Sequence, residues 1–527
     1  PVLEVAAESA LKPPEAVDRL CEPFLGGDDP VFGFLAPLEL PAFFDAERIA
    51  ELRRRVDAVR AGVVLVVGVG AASVHPGDVL VLADLARWEI QRRQRRGDIG
   101  NLGVPNLGAS AGAKYKRAFF VDWRVADRWK QPLMGRADFF LDTHLAEAPK
   151  LASGRVVRDG LKAVARRPFR TVPFFDPGIW GGQWMKRVCD LDPSAPNYAW
   201  CFDGVPEENS LVLEVNGHRF EVPAMDLVLR EPRALLGDPV HARFGAEFPI
   251  RFDLLDTMDG GNLSLQVHPL TEYIQSKFGM HYTQDESYYL LDAGSDASVY
   301  LGWEEGVDPE RVLTELRTAQ AGGRPFTTDG HVRRWPARRH DHFLIPAGTV
   351  HCSGRNSLVL EISATPYIFT FKMWDWGRVD ATGKPRPIHL DHAAANLQWD
   401  RTASWVGRHL INRVEPVAAG EGWREERTGL HEREFIETRR HWFRATAPFA
   451  TGGVERGSVA VLNLVEGEAA VVESPDGAFE PFEVHFAETF VVPAAVGRYT
   501  IRPAVGDGHR EMGVMRAYVR TGIESSP

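Results

Sequence analysis

The sequence predicts an α/β amino-terminal domain followed by a mostly-β pair of barrels or jelly rolls with short helical insertions. Three observations carry that reading. A valine run at Val63–Val67 flows straight into the glycine turn Gly68-Val69-Gly70, as a parallel strand does. From about residue 172 onward, short alternating or apolar segments recur between Gly, Pro and Asn-Gly turns. No Ser/Thr/Pro-rich linker interrupts the later segments, so the two barrels are expected to pack together. The chain has 527 residues, and the boundaries fall at 1–170, 171–400 and 401–527. The formal net charge of −11 argues against a nucleic acid or an anionic membrane as partner. Four cysteines, with no CxxC pair, suit a reducing compartment. No apolar run is long enough to span a bilayer, and the amino terminus carries no signal-peptide pattern, so a cytoplasmic location is expected.

Taken in order, Asp45 to Arg60 has apolar residues at helical spacing and stops at Gly62. Val63–Val67 is expected to be a buried strand. Its glycine turn could cradle phosphate, but neither GxxxxGK[ST] nor GxGxxG can be read there. Val79 to Ala83 is a second strand, and Arg87 to Arg96 a basic helix whose simplest reading is a solvated face. Further on, Asn216-Gly217 predicts a tight hairpin between Leu211–Glu214 and His218–Val222. Met225 to Leu236 reads as one short helix interrupted by Pro232. Strands follow at 248–255, 263–268, 287–291, 299–301, 343–350 and 358–363, with helices at 272–278 and 308–321, the latter capped by Asp308. The last unit offers strands at 435–445, 458–465, 468–473, 486–492 and 498–503, and its histidines do not cluster, so it is expected to be metal-free.

From Val63 to Thr143 the chain resembles the later half of uridine-kinase-like P-loop kinases. The matching features are the strand with its glycine turn, the basic helix ending Arg95-Arg96-Gly97-Asp98, Tyr115–Trp123, and Ala137–Asp142. Residues 1–62 contain no Gly-Lys-Ser or Gly-Lys-Thr. A kinase lacking that lysine and hydroxyl has lost its main electrostatic catalyst. The expectation is therefore a degenerate kinase-like domain that serves docking or self-association.

The chemistry is expected in the first barrel. In Leu263–Pro269 the apolar residues alternate with Ser264, Gln266 and His268, and Pro269 ends the ladder. Gln266 and His268 thus share a strand face. Alone, a His-Pro at a strand end is more often packing than ligation. However, Glu286 heads the strand segment Glu286–Leu291, His351 follows Ile345–Val350, and Glu361 interrupts the apolar strand Leu358–Ile362. A carboxylate there is costly unless it is paired or bound to metal. Two imidazoles, a carboxylate and an amide oxygen suit Zn²⁺, with Fe²⁺ or Mn²⁺ as outsiders, and leave room for water or substrate.

Over about residues 172–400, with a weaker extension to 510, the chain resembles type I mannose-6-phosphate isomerases, which are cupins. The motifs are Trp180-Gly181-Gly182, Leu263–Pro269, Glu286–Leu291, Tyr300-Leu301-Gly302, Ile345–His351, Leu360-Glu361-Ile362 and Asp375-Trp376-Gly377-Arg378. The resemblance implies a double cupin with one zinc ion per chain in the first barrel, held by Gln266, His268, Glu286 and His351. It implies isomerisation of a small-molecule sugar phosphate, mannose 6-phosphate to fructose 6-phosphate, through a cis-enediol. Glu361, Lys372 and Arg251 are the catalytic candidates, and Trp180, Gln284 and Lys372 the substrate-binding ones. Three positions depart from the family: Gln284 and Arg251 stand where lysines are expected, and Lys372 where an arginine is. Lysine is a point charge and arginine a fork, so these exchanges are not neutral. The competing expectation is a metal-containing cupin that binds a sugar or sugar phosphate, as sensor or scaffold, without turnover.

Overall fold

The computed structural model describes residues 2–366, 368–379, 386–431, 434–444, 449–450, 457–504 and 510–521. The chain divides into two compact units. One is Pro1–Leu161 with Val212–Arg230 and Ser276–Gly279; the other is Lys162–Leu211, Glu231–Gln275 and Met280–Pro527.

In the first unit Val63–Val67 is a strand, parallel to Val2–Ala6. It differs from expectation in its burial: Val63 is 61% and Leu65 49% exposed. The cause is its setting in a two-stranded ribbon, one face of which has no layer packed on it. Val81–Asp84 pairs parallel with Phe139–Asp142, which pairs antiparallel with Lys150–Ser153. The glycine turn does not form a phosphate cradle. The Glu8 carboxylate accepts from Val69 N–H there (3.4 Å), and the helix that follows, Ala71–Val74, is a single turn. At Gly70, φ is +80° and a Cβ would meet the Phe44 ring at 2.5 Å, so the turn requires glycine for packing. Asp45 caps the helix Ala46–Asp57 through Glu47 and Arg48 N–H.

The basic helix Arg87–Arg96 is a solvated face only in part: Arg92, Arg95 and Arg96 are exposed, but its other side is not. Arg87, Glu89, Gln91 and Gln94 are buried. Burial is tolerated because the cations find partners: Arg87 donates to Asp127 (2.5 Å), and Arg93 to Glu89 (2.9 Å) and the Thr143 carbonyl. Lys114 and Lys116 likewise end on backbone carbonyls. The Asn216-Gly217 hairpin forms as expected, both residues having positive φ, between Ser210–Val215 and His218–Pro223. Pro232 does split the expected helix, into Ala224–Arg230 and Pro232–Leu236.

The second unit holds two pairs of sheets whose neighbouring strands are antiparallel. In the first pair, six strands run in the order His342–Ile345, Glu286–Ala293, Ser357–Ala364, Ile250–Asp256, Trp200–Gly204, Phe174–Asp176. Its five-stranded companion runs Val332–Pro336, Ser298–Trp303, His351–Ser353, Leu265–Val267, Phe371–Trp374. The second pair comprises six strands, with Ile436–Phe443, Met512–Val519 and Ala460–Glu466 at its centre, and four strands around Thr500–Pro503 and Ala469–Glu473. Phe443, Leu462, Phe490, Ile501 and Val514 meet in its core. The strand expected at 435–445 ends at Phe443, and Ala445 lies outside the described residues.

Candidate metal centre

Strand register brings the candidate side chains together. Gln266 stands opposite His351 on one side and opposite Lys372 on the other, and residues directly opposed in an antiparallel pair share a face. On the facing sheet, Glu286 pairs with Ser363, Tyr288 and Asp253 with Glu361, and Arg251 with Ser363. Across the interior His351 Nε2 lies 2.7 Å from Glu286 Oε1, and His268 Nε2 lies 3.2 Å from Glu286 Oε2. One ligand atom from each of His268, Glu286 and His351 falls within 4.8 Å of the others; among the described residues no other such group of three occurs. The Gln266 amide nitrogen is 3.3 Å from His351 Nε2, and rotation of the amide exchanges it for the oxygen.

The donor set fits a divalent cation. His351 Nδ1 lies 2.8 Å from the Thr349 carbonyl and His268 Nδ1 3.2 Å from the Phe369 carbonyl. A carbonyl only accepts, so in both rings Nδ1 carries a proton, and Nε2 is the atom turned toward Glu286 and placed to ligate a cation. Two imidazole Nε2 atoms therefore converge on a carboxylate in a fully buried space, where positive charge of the kind a cation supplies is needed to balance it. Burial alone would raise the Glu286 carboxyl, but His268 and His351 beside it hold it well below the usual carboxylate range.

Around this group lies a second layer of charge. Arg251 donates to Glu361 (2.7 Å) and Asp253 (3.0 Å), and Ser363 also donates to Glu361 (3.1 Å). Burial, then Asp253 and Glu286, push Glu361 well above its ordinary value, with Arg251 opposing. Burial also lifts Asp253 to about 7 against the pull of Arg251, with Glu286 adding to the rise. The Lys372 ammonium has no hydrogen-bond or ion-pair partner among the described residues; the backbone N–H of Lys372 donates to His389 Nδ1 (3.3 Å). Burial, then Arg386, lower its ammonium to about 8, with Asp375 opposing. Gln284 donates to Glu286 Oε2 (3.2 Å). Trp180 packs edge-on against Trp200 (4.7 Å between centroids) and is not among the side chains bonded to the cluster.

Sequence reasoning missed Asp253, Ser363 and Tyr288. Asp253 gave the same signal as Glu361, an acid inside an apolar strand; Ser363 and Tyr288 become visible only through register. It also missed the frame around Asp375, which accepts from Ser264 (2.7 Å), Arg386 (2.7 Å) and Arg378 (3.3 Å).

Comparison with known proteins bears on this part of the chain. Its carboxy-terminal part is homologous to mannose-6-phosphate isomerases over about 41% of the chain. Mannose-6-phosphate isomerase ManA of Bacillus subtilis is 28% identical over 219 residues, covering 64% of that protein. The Streptococcus mutans mannose-6-phosphate isomerase is 28% identical over 217 residues, covering 63% of it. The chain thus spans just under two thirds of the length of these curated relatives. Among solved structures, mannose 6-phosphate isomerase from Bacillus subtilis superposes with a TM-score of 0.52 at 17% identity, covering 67% of this chain and 100% of that one. A variant of phosphomannose isomerase from Salmonella typhimurium gives 0.51 at 15%, with the same coverage. The shared property is the fold, which is cupin-like. Residues 1–166 match a domain of unknown function, DUF8485.

Proposed function

We propose that the protein is a metal-dependent aldose–ketose isomerase of sugar phosphates, of the mannose 6-phosphate to fructose 6-phosphate type. The observation that carries the reading is the convergence of His268, Glu286 and His351, with both Nε2 atoms turned inward, in a region homologous to proteins named for that reaction. Gln266 is the proposed fourth ligand and zinc the proposed ion, which when bound would polarise the oxygens at C1 and C2 of the sugar. Lys372, with an ammonium near 8, is suited to move a proton between C2 and C1 through a cis-enediol. Glu361, held by Arg251 and Ser363, orients the substrate and does not exchange protons freely. Gln284 and Trp180 are the proposed sugar contacts. The two sheet pairs of the second unit are read as a double cupin, with metal in the first barrel alone. Residues 1–170 are read as a degenerate kinase-like element that serves docking or self-association; Glu8 at its glycine turn supports the loss of a phosphate site. A cytoplasmic protein without nucleic-acid or membrane partners is consistent with the net charge of −11; among the described residues no helix is long and apolar enough to cross a membrane.

The test is a coupled assay of mannose 6-phosphate conversion on zinc-loaded protein. Turnover is expected in the wild type, with loss of at least about a hundredfold in Glu286→Ala. No turnover in the loaded wild type would sink the isomerase. One observation favours the second reading, binding without turnover: Arg251 is consumed by Glu361 and Asp253, and Gln284 is uncharged, so Lys372 is left as the unpaired cation of the candidate set. Calorimetric binding of mannose 6-phosphate without conversion identifies that case.

A further inference from the structure

Tyr288 stands two residues beyond Glu286 on the same strand face, fully buried, its ring edge-on to His351 at 5.9 Å between centroids. Its cross-strand neighbour is Glu361, whose carboxylate already receives Arg251 and Ser363. The Tyr288 hydroxyl makes no well-formed hydrogen bond with any described group, although it lies close enough to the Glu286 carboxylate to interact with it. An unpaired buried hydroxyl costs about 1–3 kcal/mol, and phenylalanine would fill the same space without that cost. The oxygen is therefore expected to serve a state of the protein in which an acceptor becomes available. Glu286 supplies that acceptor. Both of its oxygens now face imidazole Nε2 atoms, at 2.7 and 3.2 Å. Those Nε2 lone pairs belong to a cation when one is present, and a carboxylate that ligates through one oxygen has the other to spare.

Resting on the reading of this cluster as a metal centre, we propose that Tyr288 is a positioning residue of that centre. Its hydroxyl donates to the Glu286 oxygen that the ion does not take, and so fixes the carboxylate for ligation through a single oxygen. A hydrogen-bonding partner of a ligand of this kind is typically worth ten- to a hundredfold in metal affinity. Gln284, which donates to Glu286 from the other side, is the existing counterpart of this bond.

The experiment uses the full chain and compares wild type with Tyr288→Phe. Zinc affinity is measured by competition with a chromophoric chelator, and the melting temperature is taken on metal-free protein. The expected result is affinity weaker by about ten- to a hundredfold in the variant, with a metal-free melting temperature unchanged or higher. Equal zinc affinity in variant and wild type overturns the proposal. So does a loss of affinity matched by a lowered metal-free melting temperature, which is the signature of a merely structural hydroxyl. Should the phenylalanine variant not fold, Tyr288→Met is read by the same criteria. If wild type itself takes up no stoichiometric divalent ion, the metal-centre reading falls first; if it does and the variant matches it, only the role of Tyr288 falls.

Discussion

At the scale of single residues, the interior of the first sheet pair is governed by how few cations serve its acids. Arg251 is the sole described partner bridging Glu361 and Asp253, at 2.7 and 3.0 Å. Replacing it by methionine leaves two buried carboxyls facing each other, and breaking a buried pair in this way costs about 3–5 kcal/mol. Urea unfolding of metal-free Arg251→Met is expected to show that loss, and Glu361→Gln in the same background should recover part of it. A wild-type midpoint in Arg251→Met would mean that the pairing carries no stability. Asp203 makes a pH-dependent case. Burial first, then Asp253, lift its carboxyl from 3.8 to about 8, with Thr489 hydrogen bonds opposing. Between those values the folded state keeps a proton that the unfolded state has released, so stability falls as pH rises from about 4 to 8. Asp203→Asn removes this dependence. Its melting temperature is expected to exceed that of wild type most at pH 8 and least near pH 4. Glu361 was legible as a charge stranded in an apolar run, and Glu286 as an acid at the head of a strand. The commitment of Arg251 was not, because it depends on which strand lies beside it.

At the scale of elements, alternation revealed most strands of the second unit, and the misses have physical causes. Trp423–Arg427 is not among the expected strands, yet it is one, and its Glu425 and Glu426 bind Arg439 and Arg440 of the next strand, each at 2.8 Å. Cross-strand ion pairs replaced the apolar pattern that sequence reading relies on. The basic helix departs from expectation on one face for a similar reason: the guanidiniums of Arg87 and Arg93 are absorbed by acids and a carbonyl, while Arg92, Arg95 and Arg96 stay exposed. In the same unit, Lys130 on the helix Trp123–Met134 reaches Asp84 (2.7 Å) at the end of a strand and Asp226 (2.8 Å) on the helix Ala224–Arg230. Asp226 is fully buried; burial lifts its carboxyl to about 8 against the pull of Lys130, with Asp84 adding to the rise. One lysine thus ties three elements together. Lys130→Met is expected to lose roughly 3 kcal/mol in denaturant unfolding, and the added change Asp226→Leu to restore much of it. If the single and double variants unfold alike, the triad does not join these elements.

At the scale of the whole molecule, the order of α/β region before β region could be read from the valine–glycine junction and the later alternation. The way residues 212–230 and 276–279 fall within the first compact unit could not, since a hairpin and a helix end carry no local mark of the neighbours they pack on. The candidate centre draws on both sheets of one pair: His268 and His351 from the five-stranded sheet or its edge, Glu286 from the six-stranded one. An ion held by all three ties together segments far apart in sequence, and anything that binds only the folded state stabilises it. At a free concentration one hundred times its dissociation constant the gain is about 2.7 kcal/mol. Zinc is therefore expected to raise the melting temperature, and a chelator to reverse the rise. Hydrogen exchange should slow at the amides of Leu265–Val267, Glu286–Ala293 and His351–Ser353, where opening releases the ion. His351→Ala should abolish the zinc response while leaving the exchange pattern of the metal-free protein largely in place. A zinc response that survives in that variant would place the ion somewhere other than between these two sheets.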